Sequence, residues 1–171
     1  MSNYLKSICA VALLLPAMLW AADGRAEEAA HAGESSHTAA EHHHENAIGF
    51  FVGGATEEAG SREAGVALGI EYERRLTPAF GIGAIAEHTY GDLDVWVYAV
   101  SFAFHSGPWR LYAAPGIEDT HHGSERMLRL GVEYGFPVGG WEIAPQFDID
   151  FVDREAEVIV IGLTFARGFN F

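Results

Sequence analysis

The chain has one cysteine and one lysine among its 171 residues, and both lie in the first nine positions. Because Cys9 has no second cysteine to pair with, a secreted fold held by internal disulfides is excluded. Beyond Lys6 all side-chain positive charge is arginine, and the net charge is −14. So acidic a chain repels phosphate, which excludes nucleic-acid binding. Long apolar runs are also missing beyond the N-terminal region, so the sequence predicts no membrane-spanning helix there.

The N-terminal residues 1–26 have the composition of a secretory signal peptide. Lys6 precedes an apolar core from Ile8 to Ala22, and small residues follow it. This order predicts export with cleavage after Ala26, or alternatively after Ala21 or Ala22. The exported protein then contains no thiol.

Residues 27–46 consist mainly of Ala, Glu, His and Ser, without apolar periodicity. Such a segment cannot bury enough apolar surface to offset its ordering entropy, so it is predicted to be a disordered tail. Neutral imidazoles bind Zn, Cu or Ni, and the tail has candidate ligands for these metals. They are His31, His37, His42, His43 and His44. The competing interpretation is a solvated linker with incidental histidines, and no other cofactor is predicted.

From Ala47 onward, apolar residues recur at every second position, which is the period of a β-strand. Eight segments of about ten residues alternate in this way, and this is the length that crosses a bilayer when a strand is tilted. The predicted strands are residues 47–56, 63–75, 80–89, 94–104, 109–118, 126–136, 141–151 and 158–171.

The connections between these strands are of two alternating kinds. Those after the second, fourth and sixth strands are short and contain Pro78, Pro108 and Pro137. Those after the other strands are polar, and they are residues 57–62, 90–93, 119–125 and 152–156. Tight turns at one end and polar loops at the other are typical of a membrane barrel with both termini in the periplasm.

The last predicted strand, Val158 to Phe171, has one strongly apolar face, and the sequence ends on Phe171. With the strand count and the alternating connections, this ending resembles the family of small outer-membrane β-barrels that includes the OmpA transmembrane domain and OmpX-like proteins. The resemblance implies an all-β fold: an eight-stranded antiparallel up-and-down transmembrane β-barrel over residues 47–171. It also implies an outer-membrane monomer that contacts lipid and lipopolysaccharide and is recognised by the assembly machinery through Phe171.

The faces opposite the apolar ones hold nearly all the charge of the strands. Because an eight-stranded barrel has interior room for side chains and little else, these charges are expected to form a paired network. The predicted members are Arg110, Arg129, Glu71, Glu73, Glu87, Glu133, Glu142, Asp148 and Asp150. A static network that fixes the register is favoured over a gated pore in which an arginine changes partners.

Three functions remain open at this point. The resemblance favours a structural, envelope-maintenance or small-solute role, without catalytic residues. A lipid-A-modifying enzyme would use the loop that holds His121, His122, Ser124 and Glu125. The histidine-rich tail would instead suit a periplasmic metal-binding or metal-delivery protein. A soluble lipocalin-like barrel, with its apolar faces inward, is the alternative fold.

Overall fold

A computed structural model describes residues 44–57, 63–153 and 157–170. The predicted signal peptide and residues 27–43 of the predicted tail lie outside the described residues. No helix within the described residues is long and apolar enough to cross a membrane. The described chain folds as a β-sheet in which each strand pairs with antiparallel neighbours.

All but one of the strands have twelve or thirteen residues. Most are longer than the sequence predicts, although those predicted over residues 63–75 and 158–171 are not. In chain order they are β1 (Asn46–Glu57), β2 (Ala64–Arg75), β3 (Phe80–Gly91), β4 (Val95–Ser106), β5 (Trp109–Thr120), β6 (Gly123–Tyr134), β7 (Phe136–Val138), β8 (Trp141–Val152) and β9 (Glu157–Phe169). The short β7 continues β6 beyond Gly135, because both pair with β8 in one register. The architecture is therefore the predicted closed barrel of eight strands.

The barrel closes where β1 pairs with β9. From Asn46, a path across successive paired residues returns to β1 at Thr56, ten residues further along. Its steps are Arg74, Ile82, Phe102, Ala113, Leu130, Ile149 and Ile159. With about 3.3 Å per residue and about 4.8 Å between strands, this stagger corresponds to a strand tilt of about 40°.

The two faces of each strand point as the alternation predicts. Leu68, Leu130 and Ile161 are 46%, 39% and 59% exposed on the outside of the barrel. Arg129 and Glu133 are 0% and 4% exposed in the interior, which is the lumen of the barrel. The transmembrane-type orientation is confirmed, and the lipocalin-like arrangement with apolar residues inside is wrong.

We call the end of the barrel that carries residues 76–79, 107–108 and 139–140 the turn end, and the opposite end the loop end. The polar loop predicted over residues 119–125 at the loop end is wrong. There β5 continues to Thr120 and β6 starts at Gly123, so that His121 and His122 alone connect them. Gly123 has φ +132°, a backbone conformation that would be strained in a residue with a side chain. Glycine adopts it readily and therefore allows the tight reversal of the chain.

Three prolines lie within strands, Pro115, Pro137 and Pro145, and each lacks the N–H that would donate a ladder hydrogen bond. Pro145 lies in β8 opposite Leu163 of β9. Pro137, predicted in a turn, lies in β7 opposite Glu142, and Gly139 and Gly140 make the turn with positive φ. Pro115 lies in β5, and the β4–β5 ladder is interrupted beside it without a change of register. The interruption leaves the barrel closed.

Candidate functional site in the lumen

The lumen contains two arginine-centred clusters because inward positions recur every second residue on neighbouring strands. Arg110 lies toward the turn end, while Arg129 lies deeper and toward the loop end. The structure brings the two arginines together with six of the seven predicted acids, which are Glu71, Glu73, Glu87, Glu133, Asp148 and Asp150. Charged groups of this kind must be paired in an interior that excludes bulk water.

The Arg110 cluster consists of Arg110, Glu71, Glu73 and Glu133. The guanidinium donates from Nε to Glu73 Oε2 over 2.8 Å and from Nη1 to Glu71 Oε2 over 3.0 Å. Nη1 also donates to Oε1 of Glu133, which is paired with Arg110 across β5 and β6. Glu71 and Glu73 reach the same guanidinium from β2, so this cluster links distant parts of the barrel wall.

The Arg129 cluster consists of Arg129, Glu87, Asp148 and Asp150. Two guanidinium nitrogens donate to the two oxygens of Glu87, over 3.0 and 2.9 Å. Two donate to the oxygens of Asp150, each over 2.7 Å, and Asp148 Oδ2 lies 3.8 Å from Nη1. Paired donation by arginine to a carboxylate gives the strongest hydrogen bonds that side chains form. Arg129 is fully buried, and its one guanidinium faces three buried carboxylates.

Neutral side chains that sequence reasoning did not single out connect the two clusters. Tyr112 donates to Asp148 Oδ1 over 2.6 Å, and Gln146 donates to the Tyr112 oxygen over 2.9 Å and to Asp148 Oδ2 over 2.7 Å. Thr164 on β9 lies within hydrogen-bonding distance of Glu71, at 3.0 Å. The signal for these residues was present, because each occupies an inward position in the alternation, but a polar inward residue has no partner until the register is known.

At the turn end, Glu73 contacts three basic side chains. Besides Arg110, it accepts contacts from His105 Nε2 at 2.7 Å and from Arg75 Nε at 3.1 Å. The His105 side chain is only 9% exposed. Glu142 is different from the other predicted acids: it is exposed at the start of β8 and lies against Gly135, so it is outside both clusters.

Beyond the Arg129 cluster, a cavity of about 310 Å³ opens at the loop end. Its walls include Val95, Val97 and Val160, and its floor includes Glu87 and Asp150, which bind Arg129. Around it lie Leu93 from the β3–β4 connection and His122 from the β5–β6 turn. The cavity therefore borders two of the carboxylates that bind Arg129.

The residues considered for an esterase do not form a serine–histidine pair. The Ser124 hydroxyl donates a hydrogen bond to Asp119 Oδ1 over 2.5 Å. His121 Nε2 lies 2.8 Å from Asp94 Oδ2. His122 is exposed, and its backbone N–H donates to Thr120. A nucleophilic serine needs its hydroxyl directed to a base such as histidine, so this turn lacks that arrangement in the structure.

Of the five histidines predicted to bind metal, His44 is the one within the described residues. It is exposed, and its ring lies beside Gly168 at the turn end of β9. Over residues 44–57, 63–153 and 157–170, no group of three or more His, Cys, Asp or Glu is placed to hold a metal ion. Metal binding by the tail stays a prediction.

No family model matches the chain, and no curated protein matches it. The solved structures similar to it include the attachment invasion locus protein Ail of Yersinia pestis, with 14% identity over 73% of this chain and 99% of that chain and a TM-score of 0.49. Neisserial surface protein A has 10% identity over 72% and 97%, with a TM-score of 0.49. The N-terminal β-barrel domain of Pseudomonas aeruginosa OprF has 13% identity over 72% and 98%, with a TM-score of 0.48. These neighbours are small eight-stranded outer-membrane barrels.

Proposed function

We propose that this protein is an integral outer-membrane β-barrel with a structural, envelope-maintenance role, whose lumen is closed by the Arg110 and Arg129 clusters. The observation that carries the proposal is the outward apolar surface. Phe50, Ile70, Phe102, Phe147 and Ile161 are each 40% exposed or more, and they lie on strands all around the barrel. So extensive an apolar surface on a soluble monomer would drive aggregation, whereas hydrocarbon solvates it.

The dimensions of this surface match those of a bilayer. A strand of twelve residues tilted about 40° rises about 27 Å along the barrel axis, and outer-membrane barrels carry an apolar band about 25 Å tall. The exposed arginines lie near its limits: Arg126 near the loop end, and Arg74 and Arg167 near the turn end. The Arg167 guanidinium lies 5.7 Å from the centre of the Trp141 ring, an aromatic placement typical of a membrane interface.

The same proposal assigns the orientation and the partners. With the turn end in the periplasm, both mature termini are periplasmic, and the loop end faces outward. Lipid and lipopolysaccharide surround the apolar band, and Phe171 serves as the signal for the assembly machinery. We propose a monomer, because the β1–β9 pairing leaves no free strand edge among the described strands.

Membrane fractionation combined with heat-modifiable gel mobility tests the proposal. We expect the expressed full chain to sediment with outer membranes, to resist extraction by high salt, and to migrate differently in SDS before and after boiling. The matched control is a chain in which Leu68 and Leu130 are replaced by aspartate, which should lose membrane insertion, because a charge on the lipid face is costly at mid-bilayer. Recovery of the unaltered protein from the soluble fraction without detergent would contradict the proposal.

The described geometry bears differently on the two alternative functions, a lipid-modifying enzyme and a metal-binding protein. A lipid-modifying activity would require Ser124 to leave Asp119 and meet a histidine, so the described geometry does not favour it. Metal capture by His31, His37, His42, His43 and His44 remains compatible with a membrane-anchored barrel, since the tail would extend from the periplasmic end.

A further inference from the structure

Charged side chains on the outer wall of the barrel are divided between its two ends. Near the loop end, outward positions carry the acids Asp119 and Glu157 together with Arg126. Near the turn end, the outward charges of the described strands are Arg74 and Arg167, both exposed, and no carboxylate occupies an outward position there. The outer wall of a chain with net charge −14 is therefore basic where it approaches the turn end.

Arg74 and Arg167 lie on either side of β1, at nearly the same height along the barrel axis. Asn46 of β1 is paired with Arg74 of β2 and with Phe169 of β9, and Arg167 lies two residues before Phe169. At a tilt of about 40°, two steps across the strands rise about 6 Å toward the loop end, and two residues along β9 rise about 5 Å. The two Cα atoms are then about 12 Å apart across the sheet. Two long arginine side chains can converge on one group over β1 from this separation.

Neither arginine forms an ion pair with a carboxylate in the part of the chain that the structure describes. The Arg167 guanidinium lies beside an aromatic ring instead, 5.7 Å from the centre of Trp141. Between the two arginines, the Asn46 side chain is buried and accepts a hydrogen bond from the Tyr72 hydroxyl over 2.7 Å, so the surface that separates them is uncharged. The chain has 24 acidic side chains, yet these two exposed cations leave their negative charge to be supplied from outside.

We propose that Arg74 and Arg167 together bind the phosphate of an anionic phospholipid in the bilayer leaflet around the turn end. Trp141 marks this height as the membrane interface, where lipid headgroups lie. A guanidinium donates paired hydrogen bonds to phosphate oxygens. The lipid must carry a net negative charge, because the ammonium group of a zwitterionic headgroup offsets its own phosphate. The inference rests on the proposed outer-membrane function, since only a bilayer brings a headgroup to this position.

The outer face of β1 provides the surface for the acyl chains of such a lipid. Above Asn46, the outward residues of β1 are Ile48, Phe50 and Val52, which are 38%, 49% and 42% exposed. They continue from the gap between the two arginines toward the middle of the apolar band. A lipid whose phosphate is held over Asn46 would therefore lay its chains along an uninterrupted apolar row.

Native mass spectrometry of the full chain refolded in detergent micelles tests the site. The probes are phosphatidylglycerol and phosphatidylcholine with the same acyl chains, added in equal amounts. A basic side chain next to anionic lipid contributes about fivefold in affinity, so we expect bound phosphatidylglycerol to exceed bound phosphatidylcholine by about 5-fold to 25-fold. The double variant Arg74→Gln, Arg167→Gln should bind the two lipids about equally. Lysine at both positions should restore most of the preference, because it keeps the charge.

Arg126→Gln is the matched control, since Arg126 is an exposed outward arginine near the opposite end of the barrel, and this variant should keep the preference. Heat-modifiable gel mobility shows whether each variant is folded. Should the double variant fail to fold, Arg167→Gln alone decides the question by lowering the preference about fivefold.

Two results would overturn the lipid site and leave the proposed function standing. One is equal binding of the two lipids by an unaltered chain that sediments with outer membranes. The other is an unchanged preference in the folded double variant, or in folded Arg167→Gln where that variant decides. Recovery of the unaltered chain from the soluble fraction without detergent would instead overturn the proposed function, and the lipid site with it.

Discussion

Arg129 shows how much the interior depends on single side chains. Its guanidinium donates four hydrogen bonds to Glu87 and Asp150, and none of these three side chains is more than 2% exposed. A buried ion pair contributes little net stability compared with apolar packing, but removal of one partner leaves a buried charge unpaired. The lumen is therefore intolerant of loss of one arginine.

Replacement of Arg129 by methionine should lower the free energy of unfolding by about 3–5 kcal/mol, because two carboxylates lose their cation. Urea unfolding in micelles, followed by tryptophan fluorescence, measures the change. The control is Arg126→Met, since Arg126 is exposed on the outer face of the same strand, and its loss should cost less than about 1 kcal/mol. Equal losses for the two variants would contradict the role of the Arg129 cluster.

At the scale of elements, the closure between β1 and β9 depends on close approach of small residues. Gly53 is paired with Gly162, and a Cβ added to Gly53 would lie 2.4 Å from the Ile161 carbonyl oxygen and 2.5 Å from the Phe51 ring. A Cβ added to the neighbouring Gly54, which points outward, has no atom closer than 3.6 Å. The inward Gly53 is therefore needed for the close approach of β1 and β9, whereas the outward Gly54 can be replaced.

Gly53→Ala should destabilise the barrel by about 1–3 kcal/mol, because overpacking at this seam forces the backbone to move. Gly54→Ala should be neutral or slightly stabilising, since alanine restricts the unfolded chain. The temperature at which each variant loses its fast-migrating folded form on SDS gels compares them. A Gly53→Ala barrel as heat-resistant as Gly54→Ala would disprove the close approach.

At the scale of the whole molecule, the two clusters and their Tyr112–Gln146 connection join inward side chains of strands on different sides of the lumen. Glu87 and Asp150, which bind Arg129, also line the cavity at the loop end. The proposed structural role requires that these contacts close the lumen to free diffusion of solutes.

In planar bilayers the refolded protein should therefore show no steady ion current. Arg129→Ser, which removes the largest side chain of the blockade, should produce measurable channel events, while Arg126→Ser on the outer face should not. Single-channel recording at neutral pH distinguishes these cases. A stable open current in the unaltered protein would show that the network does not seal the barrel.

Much of this architecture was determined by the sequence alone. Side chains alternate between the two faces of a strand, and this alternation identifies the residues that face outward. Leu68 and Ile161 outside, and Glu133 and Arg129 inside, follow from alternation without any knowledge of pairing. The strand ends were predicted less well: β5 and β6 extend through polar residues such as Asp119 and Ser124, since ladder hydrogen bonds do not depend on side-chain polarity. The partners of Arg110 and Arg129 and the neutral bridge through Tyr112 were decided by the tertiary structure. They include contacts between strands that are not neighbours in the sheet, such as Arg110 with Glu71 and Arg129 with Glu87, and only the ten-residue stagger of the closed barrel sets which inward side chains share a level.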